Sequence, residues 1–447
     1  MNRRTTALLS AAIVTAVGVA AAPSASAAPR TGARVAGATP DPFYRYDGGK
    51  PLASYRPGDV LKKRTLNYHV FGIPTPLKAV QLLYRTTDAQ GRPSANVTTV
   101  VRSPHGDGGK AVSYQSFYDS LSPEHGPSRA IAGDVSLGGA IANAESLILA
   151  PLLAKGYDLL IPDTEGQNAD FAAGPEYGTN TLDSIRAAGR TPETGLHAST
   201  RIGLFGYSGG AIATNWTSAL APAYAPEVNR QLVGFAEGGL LVAPAHNLKY
   251  VDGALAWNGV IPMAVIGVSR SYGIDLTPYL SAKGLAVVKE LESGSIVDAL
   301  GRHPGMTWKD MAKPEYKDPN SIPSFVEAVN KINLGRAATP TIPGFIGQGN
   351  AGWLEGTFNT PPGIGTGDGV MIAGDVRALA RQYCANGNDS IKYEQYGLLS
   401  HVGAMPYWAP RAMAWLDDRF ADRPAPTSCG RIPVGNSLEP EKPTVTP

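Results

Sequence analysis

Residues 201–216, RIGLFGYSGGAIATNW, constrain the fold more than any other stretch. Seven residues of strand character run into Gly206-Tyr207-Ser208-Gly209-Gly210, and a helix-like run follows without a break. A strand that turns straight into a helix needs a tight, strained junction. Side chains two positions either side of that turn would collide with the neighbouring strand and helix. Glycines at 206 and 210 remove the collision, and G-x-S-x-G between a strand and a helix is the pattern of a serine displayed over a parallel sheet as a nucleophile. A Gly-rich turn that merely contains a serine is the bland alternative, and the strand and helix on its two sides argue against it.

The flanking sequence keeps the same rhythm. Strands are expected at 96–104 (NVTTVVRSP), 110–120 (KAVSYQSFYDS), 157–163 (YDLLIPD) and 231–239 (QLVGFAEGG). Helical patterns fall at 138–155, 174–188 and 208–221. Strand–helix alternation with short connections predicts a mostly parallel sheet covered on both faces. The rhythm breaks from 242 to 335, where GALAWNGVIPMAVIGVS, LSAKGLAVVKELES, SIVDALGR and SFVEAVNKINL read as helices. It returns with a strand at 341–349, a helix at 375–384, a strand at 391–397 and a helix at 407–420. The expected organisation is an α/β core in two parts, 28–241 and 336–430, around a helical insertion at 242–335. A tail at 431–447 is expected to be disordered or a strand-like flap.

The start, MNRRTTALLSAAIVTAVGVAAAPSASA, has a charged beginning, an apolar middle and a small-residue cleavage site, so 1–27 reads as a secretory signal. The apolar run is short for a membrane span. In an exported protein the two cysteines, Cys384 and Cys429, most simply form one disulfide. Net charge is +2 with no basic cluster, which argues against a nucleic-acid partner. The charged fraction of 17% against 43% apolar residues suits work on apolar material.

A serine hydroxyl attacks only when a base takes its proton. In a fold of this kind the partners follow in the order serine, acid, histidine. Of the histidines after Ser208, His246 and His303 lie in the insertion, whereas His401 stands in a loop after the last expected strand. The acid belongs in the loop after 341–349, which offers Glu355, Asp368 and Asp375. Asp375 opens a helix, where capping accounts for it. Asp368 is flanked by glycines and has no evident structural duty; Glu355 is the runner-up. An oxyanion hole needs two backbone N–H groups. Gly209, following the serine, supplies one, and Asp119, in the loop that begins YDSLSPEH, supplies the other. HGDGG at 105–109 connects two strands and is misplaced for that task.

The segments VSYQSFYDS, GPEYGTNTLDSIRA, GYSGGAIATNW with LAPAYAPE, and DVRALARQYC through SHVGAMPYW to Cys429 together resemble the secretory lipase family. The resemblance implies an α/β-hydrolase core with a helical cap between serine and acid. It places the nucleophile on Ser208, the histidine on His401 and the oxyanion donors on Asp119 and Gly209. Family spacing to the cysteine at 384 favours Asp368. Relatives carry their aspartate directly after the strand equivalent to GFIGQG, so an insertion of about WLEGTFNTPPGIGTG displaces it here.

The expected protein is a secreted, extracellular monomer that cleaves esters with apolar acyl chains, acylglycerols foremost. It needs no metal or organic cofactor, and its apolar cap offers transient contact with a lipid interface. A short-chain or polyester-cleaving carboxylesterase is the alternative within the class. A non-catalytic binding protein on the same fold is the alternative outside it.

Overall fold

The computed structural model describes residues 41–444; the expected signal at 1–27 lies outside the described residues. Nine strands form one sheet in the order β1-β2-β3-β5-β4-β6-β7-β8-β9. They are β1 (Val60–Val70), β2 (Ile73–Thr87), β3 (Pro93–Val101), β4 (Lys110–Gln115), β5 (Asp158–Pro162), β6 (Arg201–Tyr207), β7 (Leu232–Gly238), β8 (Gly344–Gly349) and β9 (Ile391–Tyr396). β5 through β9 in this order are parallel, and β1–β3 form an antiparallel meander joined to β5.

The central strands are buried on both faces, which is why they read as near-continuous apolar runs rather than alternating ones. Period two still sorts their side chains. Ile202 and Leu204 pack with the helices Gly174–Gly189, Gly209–Tyr224 and Ala373–Ala385 on one face. Phe205 and Tyr207 pack with Ser146–Ala154 and His401–Phe420 on the other. This is the α/β-hydrolase arrangement expected from the sequence. The chain leaves β4 for β5 on one side, then returns to β6 on the other. A crevice therefore opens beyond the C-terminal ends of β4 and β6, where ligands bind in sheets of this type.

Between β7 and β8 the chain forms helices at Pro244–Val251, Val260–Tyr272, Ala282–Leu291 and Pro323–Lys331, with single turns at Ile296–Ala299 and Trp308–Met311. The helix expected over 253–269 begins only at Val260. Gly253 is left-handed at φ 72°, and a Cβ on Gly259 would lie 2.2 Å from the Ala299 carbonyl oxygen, so the chain turns here to let two segments meet. This helical segment touches the core directly: Ser120 and Ser295 form an antiparallel bridge, with Leu121 N–H on the Gly294 carbonyl and Ile296 N–H on that of Asp119, both at 2.8 Å.

Cys384 and Cys429 are joined, with 5.6 Å between their Cα atoms. Residues 431–444 form no strand and run extended over the helices. Arg377 donates to the Val434 carbonyl, Asn330 to that of Glu441, and Asn436 to Asp375. Among the described residues no helix is long and apolar enough to cross a membrane.

Candidate active site

Ser208 sits between β6 and the helix Gly209–Tyr224 with φ 55° and ψ −122°. A non-glycine residue held at positive φ is strained by about 1–3 kcal/mol and persists only where its surroundings over-determine it. They do so here. Ser208 N–H donates to the Gly238 carbonyl at 2.9 Å, and both flanking glycines are sterically required. A Cβ on Gly206 would lie 2.2 Å from the Gly210 carbonyl oxygen, and one on Gly210 would lie 2.1 Å from that of Gln115. The junction is as tight as the motif demands.

His401 Nε2 is 2.8 Å from Ser208 Oγ, and its Nδ1 is 2.8 Å from Asp368 Oδ2. With Nδ1–H donating to the carboxylate, Nε2 is left to accept the serine proton; the network assigns this tautomer. All three side chains are buried. Burial pulls the imidazole pKa down, but the Asp368 carboxylate against it outweighs that and leaves it above the ordinary histidine value. His401 is not in a loop, as the sequence reading had it. It is the first residue of the helix His401–Phe420, because the Ser400 hydroxyl caps that helix by accepting Gly403 N–H at 3.2 Å.

Asp368 is nineteen residues beyond the end of β8, yet a Cβ on Gly349 would lie 2.9 Å from its Cβ. The intervening excursion closes on itself through Gly352 N–H and the Gly367 carbonyl at 2.9 Å. Nor is Asp368 free of structural bonds: Oδ1 accepts the N–H groups of Val370 and Met371, and Oδ2 that of Gln348 Nε2 at 2.8 Å. These bonds hold the carboxylate aimed at the ring. Glu355 comes close without touching the imidazole. Its Oε1 accepts Val402 N–H at 2.9 Å and its Oε2 the indole N–H of Trp257 at 2.7 Å, and burial raises its pKa. Asp375 does not cap its helix, which starts at Ala373 after Ile372; it pairs with His246 at 3.1 Å and accepts from Asn436.

Asp119 follows β4 with φ 36°, and Gly209 opens its helix. Neither backbone N–H donates to a backbone carbonyl among the described residues. The Asp119 carboxyl lies over Gly209, where any Cβ would meet its Oδ1. Burial pushes this carboxyl up to about 8, which favours its neutral form. The site thus sets a hydroxyl against a base, and Asp119, Ser208 and Gly209 line one cavity.

Two apolar cavities meet at Ser208. One runs past Gly209, Val251, Ile261 and Ala264 into the helical segment, where a further apolar cavity continues between Ile261, Val268, Trp308 and Phe325. The other lies on the His401 side, between Phe117, Tyr207, Trp257, Leu300 and Val402. Sequence reading missed several contributors. Gln348 and Tyr207, whose hydroxyl donates to the His401 carbonyl at 2.6 Å, both lie inside motifs it quoted. Trp257 carries no local signal.

The model of the family described as "Secretory lipase" matches residues 133–428. A probable inactive lipase of Mycobacterium tuberculosis is 32% identical over 394 residues, covering 86% of this chain and 82% of that protein. Lipase 5 of Candida albicans is 29% identical, covering 89% and 84%. The structure of Candida antarctica lipase A in its closed state superposes with a TM-score of 0.75 at 23% identity, covering 89% and 90%. A rice cell wall degrading esterase from Xanthomonas oryzae superposes at 0.61 and 14% identity, covering 83% and 100%. With the family matched over most of its length, the chain belongs to the secretory lipases, a family of ester hydrolases.

Proposed function

We propose that this protein is a secreted lipase that transfers the acyl group of apolar esters, acylglycerols foremost, to water. The observation that carries the reading is the chain of two 2.8 Å hydrogen bonds from Ser208 through His401 to Asp368, in a cavity that Asp119 and Gly209 also line. Ser208 attacks the ester carbonyl while His401 takes its proton; the two N–H groups stabilise the oxyanion. His401 then protonates the departing alcohol and activates the water that releases the acyl enzyme. Asp368 holds the tautomer and stabilises the imidazolium. Residues 242–335 act as a cap, and the cavity running into it takes the acyl chain. The alcohol leaves on the side of His401 and Trp257.

The surface around the second cavity supports a water-insoluble substrate. Leu137, Leu255, Trp353, Leu354, Phe358, Leu398 and Tyr407 are all exposed. Leu255 N–H bonds the Gly356 carbonyl, and Glu355, beside Trp353 and Leu354, bonds Trp257 of the cavity wall. Leu137 caps the turn leading to Ile141, and Tyr407 follows Pro406, both at the cavity. Segments 350–366 and 397–408 hold one Asp, Glu, Lys or Arg, namely Glu355. Contact with a neutral lipid surface is thus centred on this rim, to which the cap contributes Leu255.

The non-catalytic alternative is disfavoured because Ser208, His401 and Asp368 are all present and within bonding distance. Hydrolysis of nitrophenyl esters across acyl lengths by wild type and Ser208→Ala, with labelling by a serine-directed phosphonate, tests the reading. Activity that survives Ser208→Ala overturns it. A sharp preference for acetyl over octanoyl esters moves the assignment to a short-chain esterase.

A further inference from the structure

The loop that carries Asp119 is held by two buried carboxyl groups that play no part in the proton transfers. Glu145, between the helices Ala140–Ala144 and Ser146–Ala154, accepts Phe117 N–H at 2.8 Å and the Tyr114 hydroxyl at 3.0 Å on Oε1, and the Ser116 hydroxyl on Oε2. Glu165, after β5, accepts Ser120 N–H on both oxygens at 3.1 and 3.2 Å, and its own N–H donates to the Tyr118 hydroxyl at 3.1 Å. The Phe117 and Ser120 N–H groups on either side of Asp119 are therefore both held by buried carboxyl oxygens. Asp119 itself is left-handed, a conformation that a side-chain-bearing residue keeps only under constraint.

Neither carboxyl has a cationic partner among the described residues, and both are almost wholly buried. A buried carboxyl is costly unless it is hydrogen-bonded, and both of these are. Burial raises both carboxyl groups above their ordinary values, Glu145 to about 7.

We infer that Glu145 and Glu165 are positioning residues that hold the 116–120 loop so that the Asp119 N–H points at the reacting carbonyl oxygen. The inference rests on the proposed acyl transfer at Ser208. Its signature is a loss in kcat with KM kept, since the oxyanion exists only in the transition state and intermediate. It also predicts rescue by an acceptor of the same length: glutamine still offers an oxygen to the loop, whereas leucine offers none and aspartate falls short.

The test measures kcat and KM on nitrophenyl butyrate for Glu165→Gln, Glu165→Asp, Glu165→Leu and the same three changes at Glu145, with folding checked by thermal melting. Glutamine variants are expected within about threefold of wild type. Folded aspartate and leucine variants are expected to lose 30-fold or more in kcat with KM within threefold. Folded aspartate or leucine variants that keep wild-type kcat overturn the inference, as does a loss confined to KM or a glutamine variant as impaired as leucine. If aspartate and leucine variants do not fold, the glutamine result alone decides by the same threshold. A wild type that cleaves no ester, or a Ser208→Ala that still does, counts against the acyl-transfer reading instead.

Discussion

Asp368 and His401 are bonded twice: the Asp368 carbonyl accepts His401 N–H at 2.7 Å, and its carboxylate accepts Nδ1–H at 2.8 Å. The backbone bond survives any side-chain change. Asp368→Asn is therefore expected to leave the fold and the ring position intact while reversing the tautomer, with kcat down by about 10⁴-fold. Glu355→Gln, which never touches the imidazole, is expected to keep most activity. Steady-state kinetics on one soluble ester compares the two; a dead Glu355→Gln beside an active Asp368→Asn would exchange their roles.

The pH profile should be bell-shaped. His401 must be neutral to act as base, and its raised pKa sets the acid limb above the ordinary imidazole value of about 6.5. Asp119 must stay neutral beside the oxyanion, and its pKa of about 8 sets the alkaline limb. Asp119→Asn cannot ionise, so kcat/KM for that variant is expected to stay flat through pH 8–9 while the acid limb remains. An unchanged alkaline limb would place it on another group.

Glu237 is fully buried, accepts only Asn215 Nδ2 at 2.8 Å, and is raised by burial from about 4.5 to about 8. The folded state holds this proton where the unfolded chain releases it. Its contribution to stability is present below about pH 4.5 and is lost as pH rises towards 8. Glu237→Gln should raise stability at pH 8 by about 1–3 kcal/mol and leave it nearly unchanged at pH 5. Denaturant melts at the two pH values check the difference; equal gains at both would refute the linkage.

The Cys384–Cys429 bond spans 45 residues. Closing such a loop is worth about 4 kcal/mol in the chain-entropy model. Replacing both cysteines by serine should lower stability by about 2–4 kcal/mol and leave kcat on soluble esters within twofold, because the bond lies away from Ser208.

Adsorption offers a separate test of the uncharged rim. Trp353→Ser combined with Phe358→Ser should cut adsorption to a triacylglycerol emulsion by fivefold or more, with nitrophenyl acetate hydrolysis within twofold of wild type. Equal adsorption by variant and wild type would remove the rim from the lipid contact.

The inner parallel strands were legible because β4 to β8 are buried on both faces and read as short apolar runs. β1 and β2 were not. β1 is an edge strand, partly exposed on both faces, so its residues show no clean alternation. Ser208 and His401, which stand 2.8 Å apart, were singled out from local motifs. The acid was not fully legible, because it depends on an excursion whose closure at Gly352 and Gly367 leaves no periodic trace.

That closure separates the length of the loop from the geometry of the site. Because the excursion starts and ends at one place beside β8, its length is uncoupled from the position of Asp368. Lengthening such a loop adds little entropy, growing only with the logarithm of its size. The segment carrying Trp353, Leu354 and Phe358 can thus change in length without moving Asp368 away from His401.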